Sequence, residues 1–317
     1  MAGVPDAVSA AFASDNAAPA HPTALAAIAA ANDGPATSYG TDPVTRRATE
    51  RLRAVFDSPQ AEVLFAFTGT AANIIALSAA VRPWQEILCS DIAHSLLDEA
   101  GGPVRLSGAT LTALPSEDGF IDPARLDRAV LRRGEVHHSQ PRIVSITQTT
   151  ENGRVWQRAA IAEFIDHAHE LDLLVHVDGA RLANAVAALG VTPAEAIGDA
   201  DIVTVGGTKN GLLFGDALLV RRPEHFAGIE FAQKQIGHLA SKHRYVSAQF
   251  DDDQNKRRIP PATTLDLFAQ YRLFAGLYAE FRAENVTNTM VVSGLSGDGL
   301  IDMAQPRTLW FGLKWIG

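Results

Sequence analysis

Between residues 19 and 220 the apolar and polar positions fall into segments of two kinds. Short apolar runs such as "AEVLFAF", "EILCS", "PRIVSIT", "LLVHV", "IVTV" and "DALLV" stop at small or polar residues and read as strands, with the alternating "ATLTALP" as another. Between them lie longer stretches with apolar residues at helical spacing. "VTRRATERLRAVF", "TAANIIALSAAV", "PARLDRAVLRRG" and "AAIAEFIDHAHELD" read as helices. So does "PAHPTALAAIAAAND", opened near Pro22 and Thr23. This alternation predicts an α/β fold whose mostly parallel or mixed sheet is covered by helices on both faces. Ligands of such sheets bind beyond the carboxyl ends of the strands.

Past Phe250 the texture changes. "DDDQNKRRIPP" is a charged, proline-terminated break, so residues 1–250 read as a large domain and 251–317 as a small C-terminal one. In the latter, "TTLDLFAQYRLFAGLYAEFRAEN" is expected to be a helix. The 317 residues are 47% hydrophobic, ample for a large core, and the net charge of -9 argues against a nucleic acid or an acidic membrane as partner. Cys89 is the one cysteine, so neither an internal disulfide nor a cysteine-based zinc site is available. It reads as a small buried hydrophobe. The N-terminal segment lacks a basic, then apolar, signal pattern, and no run reaches the roughly 20 apolar residues of a membrane span. The expectation is a soluble, cytoplasmic protein.

The chemistry gathers at two strand ends. Asp178 follows "LLVHV", and Lys209 follows "IVTV" inside "GGTKNG". Alone, Lys209 reads as a loop lysine and Asp178 as a cap. Together they supply what pyridoxal phosphate requires, a lysine amine for a Schiff base and an acid for the pyridine nitrogen. "FTGTAAN" places Gly69 and Thr70 at a strand-to-helix turn, where amides and the helix dipole favour an anion. The blander reading is an N-cap by Thr68 or Thr70. His94, after another strand, could stack on a ring or simply lie at the surface. A nucleotide-binding α/β enzyme with "TGTAAN" as its phosphate loop is the competing reading, but no G-x-G-x-x-G or G-x-x-x-x-G-K-[ST] occurs.

"FASDN", "SYGTDP", "FTGTAAN", "AHSLLDEAGG", "VHVDGARLANA" and "GGTKNG", in that order, resemble the threonine aldolase / β-eliminating lyase family of pyridoxal-phosphate enzymes. The resemblance covers roughly residues 10–250 and implies the aspartate-aminotransferase-like fold (fold type I). It implies that Lys209 carries the cofactor, Asp178 pairs with the ring nitrogen, Gly69 and Thr70 hold the phosphate, and His94 stacks on the ring. It assigns Arg181 to the substrate carboxylate or the cofactor, Ser14 to the substrate carboxylate, and His137 to a second active-site imidazole. Gln148 and Thr149 depart from the family's commoner Glu-Asn-Thr, and Glu99 fits the pattern in an expected structural role. Residues 251–317 depart from the family's C-terminal pattern, leaving Arg307 as the one candidate there for a second carboxylate-binding arginine.

The reading is a homo-oligomeric lyase, dimer or tetramer, that cleaves β-hydroxy-α-amino acids between Cα and Cβ, with His94 or His137 as the base. The alternatives are β-elimination or phenylserine-type cleavage on the same cofactor, and a cofactor-binding protein inactivated by its C-terminal part.

Overall fold

The computed structural model describes residues 14–32 and 34–239, then 249–250, 258–259, 267–274, 277–285, 288–289, 292–295, 301–303 and 307–315. Two units separate, Met1–Ser241 and Lys242–Gly317. In the first, α1 (Pro22–Ala31) and α2 (Pro43–Val55) lead into β1 (Glu62–Ala66), α3 (Gly69–Ala80) and β2 (Gln85–Ser90). Short helices α4 (His94–Leu97) and α5 (Gly102–Ser107) precede β3 (Thr110–Leu114) and a hairpin of β4 (Ser116–Glu117) and β5 (Phe120–Ile121). Then come α6 (Pro123–Val130), β6 (Gln140–Thr147), α7 (Arg158–Glu170), β7 (Leu174–Gly179), α8 (Leu182–Leu189) and α9 (Pro193–Ile197). β8 (Ile202–Val205), β9 (Asp216–Val220) and α10 (Ile229–Gln235) complete the unit.

The helix starts are written locally. Asp42 accepts from the amides of Val44 and Thr45 at 2.9 and 3.0 Å, with Pro43 at the first helical position of α2. Asp122 and Pro123 repeat the device at α6.

Seven strands form one sheet in the order β1-β9-β8-β7-β6-β2-β3. β8, β7, β6, β2 and β3 pair in parallel, and β9 runs antiparallel between β8 and β1. The mostly parallel sheet expected from the sequence is therefore present. Along β7 the pleat sends Val175 and Val177 to one face, against Ile161 and Phe164 of α7 and Leu126 of α6. Leu174 goes to the other face, with Ile75 and Leu77 of α3 and Phe226. Each such fully buried side chain stabilises the fold by about 1.5–3 kcal/mol. Because β9 is antiparallel to β8, the loop 206–215 turns straight back without a crossover helix. Lys209 is thereby kept at the carboxyl end of β8.

The second unit corrects one expectation. Residues 263–285 were expected to be helical, but β12 (Leu267–Phe274) and β13 (Leu277–Glu284) are antiparallel strands, with β16 (Thr308–Trp315) alongside. The reason lies in the period. Leu277, Ala279, Phe281 and Ala283 alternate with Tyr278, Glu280, Arg282 and Glu284, and that step of two suits a pleat rather than a helix face. The rings of Phe281 and Phe311 pack 4.9 Å apart across β13 and β16. The remaining strands of this unit, β10 (Gln249–Phe250), β11 (Arg258–Ile259), β14 (Val292–Leu295) and β15 (Ile301–Met303), pair as two short ribbons. Among the described residues, no helix is long and apolar enough to cross a membrane.

Candidate active site

The carboxyl ends of β6, β7 and β8 open on a cavity of about 510 Å³ whose wall includes Gly69, Thr70, His94, Asp178, Arg181 and Lys209. Asp178 is buried at the end of β7. Its Oδ2 accepts from Asn73 Nδ2 at 2.7 Å and its Oδ1 from the Ala180 amide at 2.9 Å. Beneath it lies the fully buried His176, bridging Ser145 Oγ on β6 (2.8 Å) and Thr204 Oγ1 on β8 (3.0 Å). Burial pushes this imidazole well below its ordinary range, while the Asp178 charge pulls the other way. His176 is therefore a neutral strut under a charged carboxylate.

Lys209 sits half-buried in a 3-10 turn, Thr208–Asn210. The amides of Gly207 and Thr208 donate to Asp216 Oδ1 at 2.6 and 3.1 Å, and Asn210 Nδ2 donates to Gly206 O and Ala180 O. A Cβ on Gly206 would collide with the Ala180 carbonyl, and one on Gly207 with the Gly215 carbonyl. Those two glycines answer a close backbone approach that fixes where Lys209 emerges. Among the described residues, Lys209 Nζ has neither a hydrogen bond nor an ion pair.

At the start of α3, Thr68 Oγ1 accepts from the Ala71 amide at 3.2 Å, so the cap and the anion cradle are one structure. The amides of Gly69 and Thr70 precede the first intrahelical donor, Ala72, and both residues line the cavity. Thr208 Oγ1, also at the cavity, is buried without a partner among the described residues. An anion with several acceptor oxygens would suit this corner.

His94 opens α4. Its amide donates to Glu151 Oε1 at 3.0 Å, and its Nδ1 lies 3.3 Å from Glu99 Oε1. That hydrogen bond raises the imidazole above its ordinary range, against partial burial. Arg181 forks onto Asp15, Nε to Oδ2 at 2.5 Å and Nη2 to Oδ1 at 3.2 Å. Arg181 faces the cavity, whereas Asp15 stands outside its wall and Asn16 lines it.

Other expected residues fall elsewhere. Ser14 caps the 3-10 turn Asp15–Ala17, accepting from the Asn16 amide, and is exposed outside the cavity. His137 is exposed in the turn before β6. Its end of β6 is about 23 Å from Thr147, which lines the cavity. The fold therefore carries His137 to the amino end of β6, on the side of the sheet opposite the cavity in this chain. Gln148 is fully buried and bonded to Trp156 and Ala196, so its role is structural, and Thr149 is buried beside it. Cys89 is buried as expected, and burial, with Glu151 and Asp91 nearby, pushes its thiol up to about 12. Arg307 belongs to the second unit, where its amide donates to Asn288 Oδ1.

Sequence reasoning passed over Asp15, Asn73, Glu151 and Asp216, all of which hold parts of the site. Only Asp216 left a local signal, an acid closing a glycine-rich loop just before "ALLV".

The profile of the β-eliminating lyases matches residues 11–280. The chain belongs to the β-eliminating lyase family. Over 240 residues it is 42% identical to a low-specificity L-threonine aldolase of a Pseudomonas species, covering 75% of this chain and 69% of that one. The solved structure of a Leishmania major threonine aldolase superposes with a TM-score of 0.69 at 29% identity, over 73% of this chain and 68% of that one. Thermus thermophilus aspartate aminotransferase shares the fold alone, with a TM-score of 0.51 at 14% identity over 68% of this chain and 56% of that one. The architecture of this β-eliminating lyase family member is thus that of fold type I.

Proposed function

We propose that the chain cleaves β-hydroxy-α-amino acids between Cα and Cβ, threonine giving glycine and acetaldehyde, with pyridoxal phosphate as cofactor. The observation that carries the reading is the convergence of Lys209 and Asp178 on one cavity with the open amides of α3. The names of the threonine aldolase relatives favour this reaction over β-elimination, which the same residues could serve. The residues fit the cofactor. Among the described residues Lys209 Nζ has no hydrogen bond or ion pair and the Thr208 hydroxyl no partner; the Asp178 carboxylate is buried and held, and Gly69, Thr70 and that hydroxyl suit its phosphate. Bound there, the cofactor supplies a ring that takes up the electron pair released when the bond breaks.

The chain's own residues do the rest. Lys209 holds the cofactor through its amine. Asp178 keeps a proton on the pyridine nitrogen. Arg181, oriented by Asp15, binds the substrate carboxylate with the guanidinium edge that Asp15 leaves free. His94 takes the hydroxyl proton at Nε2, since its Nδ1 is engaged by Glu99. In this reading residues 1–250 form the cofactor-binding body and 251–317 a smaller C-terminal part. The working form is a homo-oligomer, because the apolar helix α1 buries none of its residues.

Borohydride reduction and peptide mapping should place the pyridoxyl group on Lys209, and threonine should yield acetaldehyde in a coupled assay. A label on another lysine, with no aldehyde formed, would sink the proposal.

A further inference from the structure

Glu99 entered the sequence reading only as a structural residue, and its surroundings give it more to do. Its side chain is fully buried, and one oxygen, Oε1, receives two contacts, His94 Nδ1 at 3.3 Å and Asn73 Nδ2 at 2.9 Å. The same Asn73 nitrogen donates to Asp178 Oδ2 at 2.7 Å. An amide nitrogen has two hydrogens, and here each goes to a different buried carboxylate. Turning the amide over would set its oxygen against both carboxylates, so this orientation is the one chemistry allows. Asn73 Oδ1 and Glu99 Oε2 are left without partners among the described residues. Leaving two buried polar atoms unpaired costs stability, on the order of 1–3 kcal/mol each. A core packed for stability alone would have used apolar side chains here.

We propose that Glu99 is a positioning residue for His94. It holds the imidazole hydrogen on Nδ1 and leaves the Nε2 lone pair free, and Asn73 anchors Glu99 to Asp178. A carboxylate can only accept, so neutral His94 meets Glu99 Oε1 only with its hydrogen on Nδ1. The row His94, Glu99, Asn73, Asp178 thereby joins the base to the carboxylate assigned to the cofactor ring. Burial raises the Glu99 carboxyl, opposed by its bonds to His94 and Asn73. The Glu99 hydrogen bond raises His94. The charges bearing on His94 are Glu99, Asp178 on β7 and Lys209 in the loop after β8, and Glu151 accepts from its amide. Glu99 is the one bonded to the ring.

The inference rests on the reading of the site given above, but it is tested without substrate, so its failure and the failure of threonine cleavage are separate results. Histidine side chains of the full chain are labelled with nitrogen-15, and the His94 signals are assigned by their loss in His94→Gln. In the wild-type protein, neutral His94 should carry its hydrogen on Nδ1 and titrate above 6.5, its ordinary value. In Glu99→Gln the amide oxygen can occupy the position of Oε1, so the hydrogen stays on Nδ1. The charge is gone, however, and the titration should fall by about one unit or more. In turnover, the acid limb of kcat/KM should move down by the same amount, which a merely structural glutamate would not cause. A wild-type His94 with its neutral hydrogen on Nε2 overturns the proposal. So does an unmoved titration in a folded Glu99→Gln. If that variant does not fold, the wild-type tautomer alone decides.

Discussion

Replacing Asp15 by asparagine keeps the shape of the 3-10 turn Asp15–Ala17 and removes the charge that faces Arg181. The pair is a fork, with Nε and Nη2 each on a separate carboxylate oxygen. Both side chains are about one-third exposed, at 37% and 31%, so solvent screens the pair. A charge-assisted bond of this kind is worth about 1.5–3 kcal/mol when buried, and roughly half that here. Two outcomes follow from the geometry. If Asp15 occupied the position of a substrate carboxylate, its removal would tighten binding. It stands outside the cavity wall, however, and engages Nε and Nη2, leaving Nη1 without a hydrogen bond among the described residues, while Arg181 itself lines the cavity. Asp15 therefore orients Arg181, and its loss lets a flexible side chain wander. About 0.75–1.5 kcal/mol of lost orientation corresponds to a KM about three- to twelvefold higher. Since Arg181 would hold the carboxylate equally before and during bond breaking, the loss should fall on KM, with kcat within about twofold. Steady-state kinetics of Asp15→Asn with threonine make the measurement. A KM that fell, or did not move, would show that Asp15 competes with the substrate or does nothing to Arg181.

Asp178→Asn should retain cofactor yet lose about a hundredfold or more in kcat; turnover at the wild-type rate would remove Asp178 from the ring nitrogen. Gly179→Ala would drive a methyl into the Thr204 carbonyl oxygen of the neighbouring strand, and thermal unfolding should report a loss of about 3 kcal/mol; an unchanged Tm would mean that β7 and β8 can part. Asp201, fully buried, accepts from the Val175 amide at 2.6 Å, Arg222 Nη1 at 2.6 Å and His169 Nε2 at 3.0 Å. Burial raises its carboxyl, but these partners outweigh burial and hold it below the ordinary value of 3.8. A depressed carboxyl stabilises the fold above its unfolded value and loses that effect as pH falls through the folded one. Asp201→Asn should therefore cost about 3 kcal/mol at pH 7, and the wild-type and variant curves should converge below pH 3.8; a gap independent of pH would show that packing, not charge, is responsible.

The seven strands of the large sheet and the longer helices α3, α6 and α7 were legible because each side chain in a covered sheet reports its own burial, whereas the β4–β5 hairpin and the shorter helices α4, α5, α8 and α9 were not. Apolar runs and caps such as Asp42 and Asp122 are local facts, and local facts survive in a linear string. That Lys209, Asp178, Gly69, Thr70 and His94 line one cavity was legible for a related reason, since each follows a strand end and strand ends of a parallel sheet converge, whereas Arg181 came only with the family resemblance. The helix expected over 263–285 failed because the step of two from Leu277 to Glu284 was read as a helical face, and pairing of β13 with β12 and β16 made it a strand.

Tertiary structure alone decided which polar residues act together. Nothing near Asn73 in the sequence says that its amide spans Glu99 and Asp178, 26 and 105 residues away. Asp15 and Arg181 are 166 residues apart and meet in a fork. His137 and Ser14 matched motifs, yet the direction of β6 leaves His137 at its amino end, away from the cavity, and Ser14 is exposed at the turn Asp15–Ala17. A motif records which residue types chemistry needs. Strand direction and the choice of a hydrogen-bond partner are set by contacts between segments far apart in the chain, and those are settled only when the sheet has closed around its core.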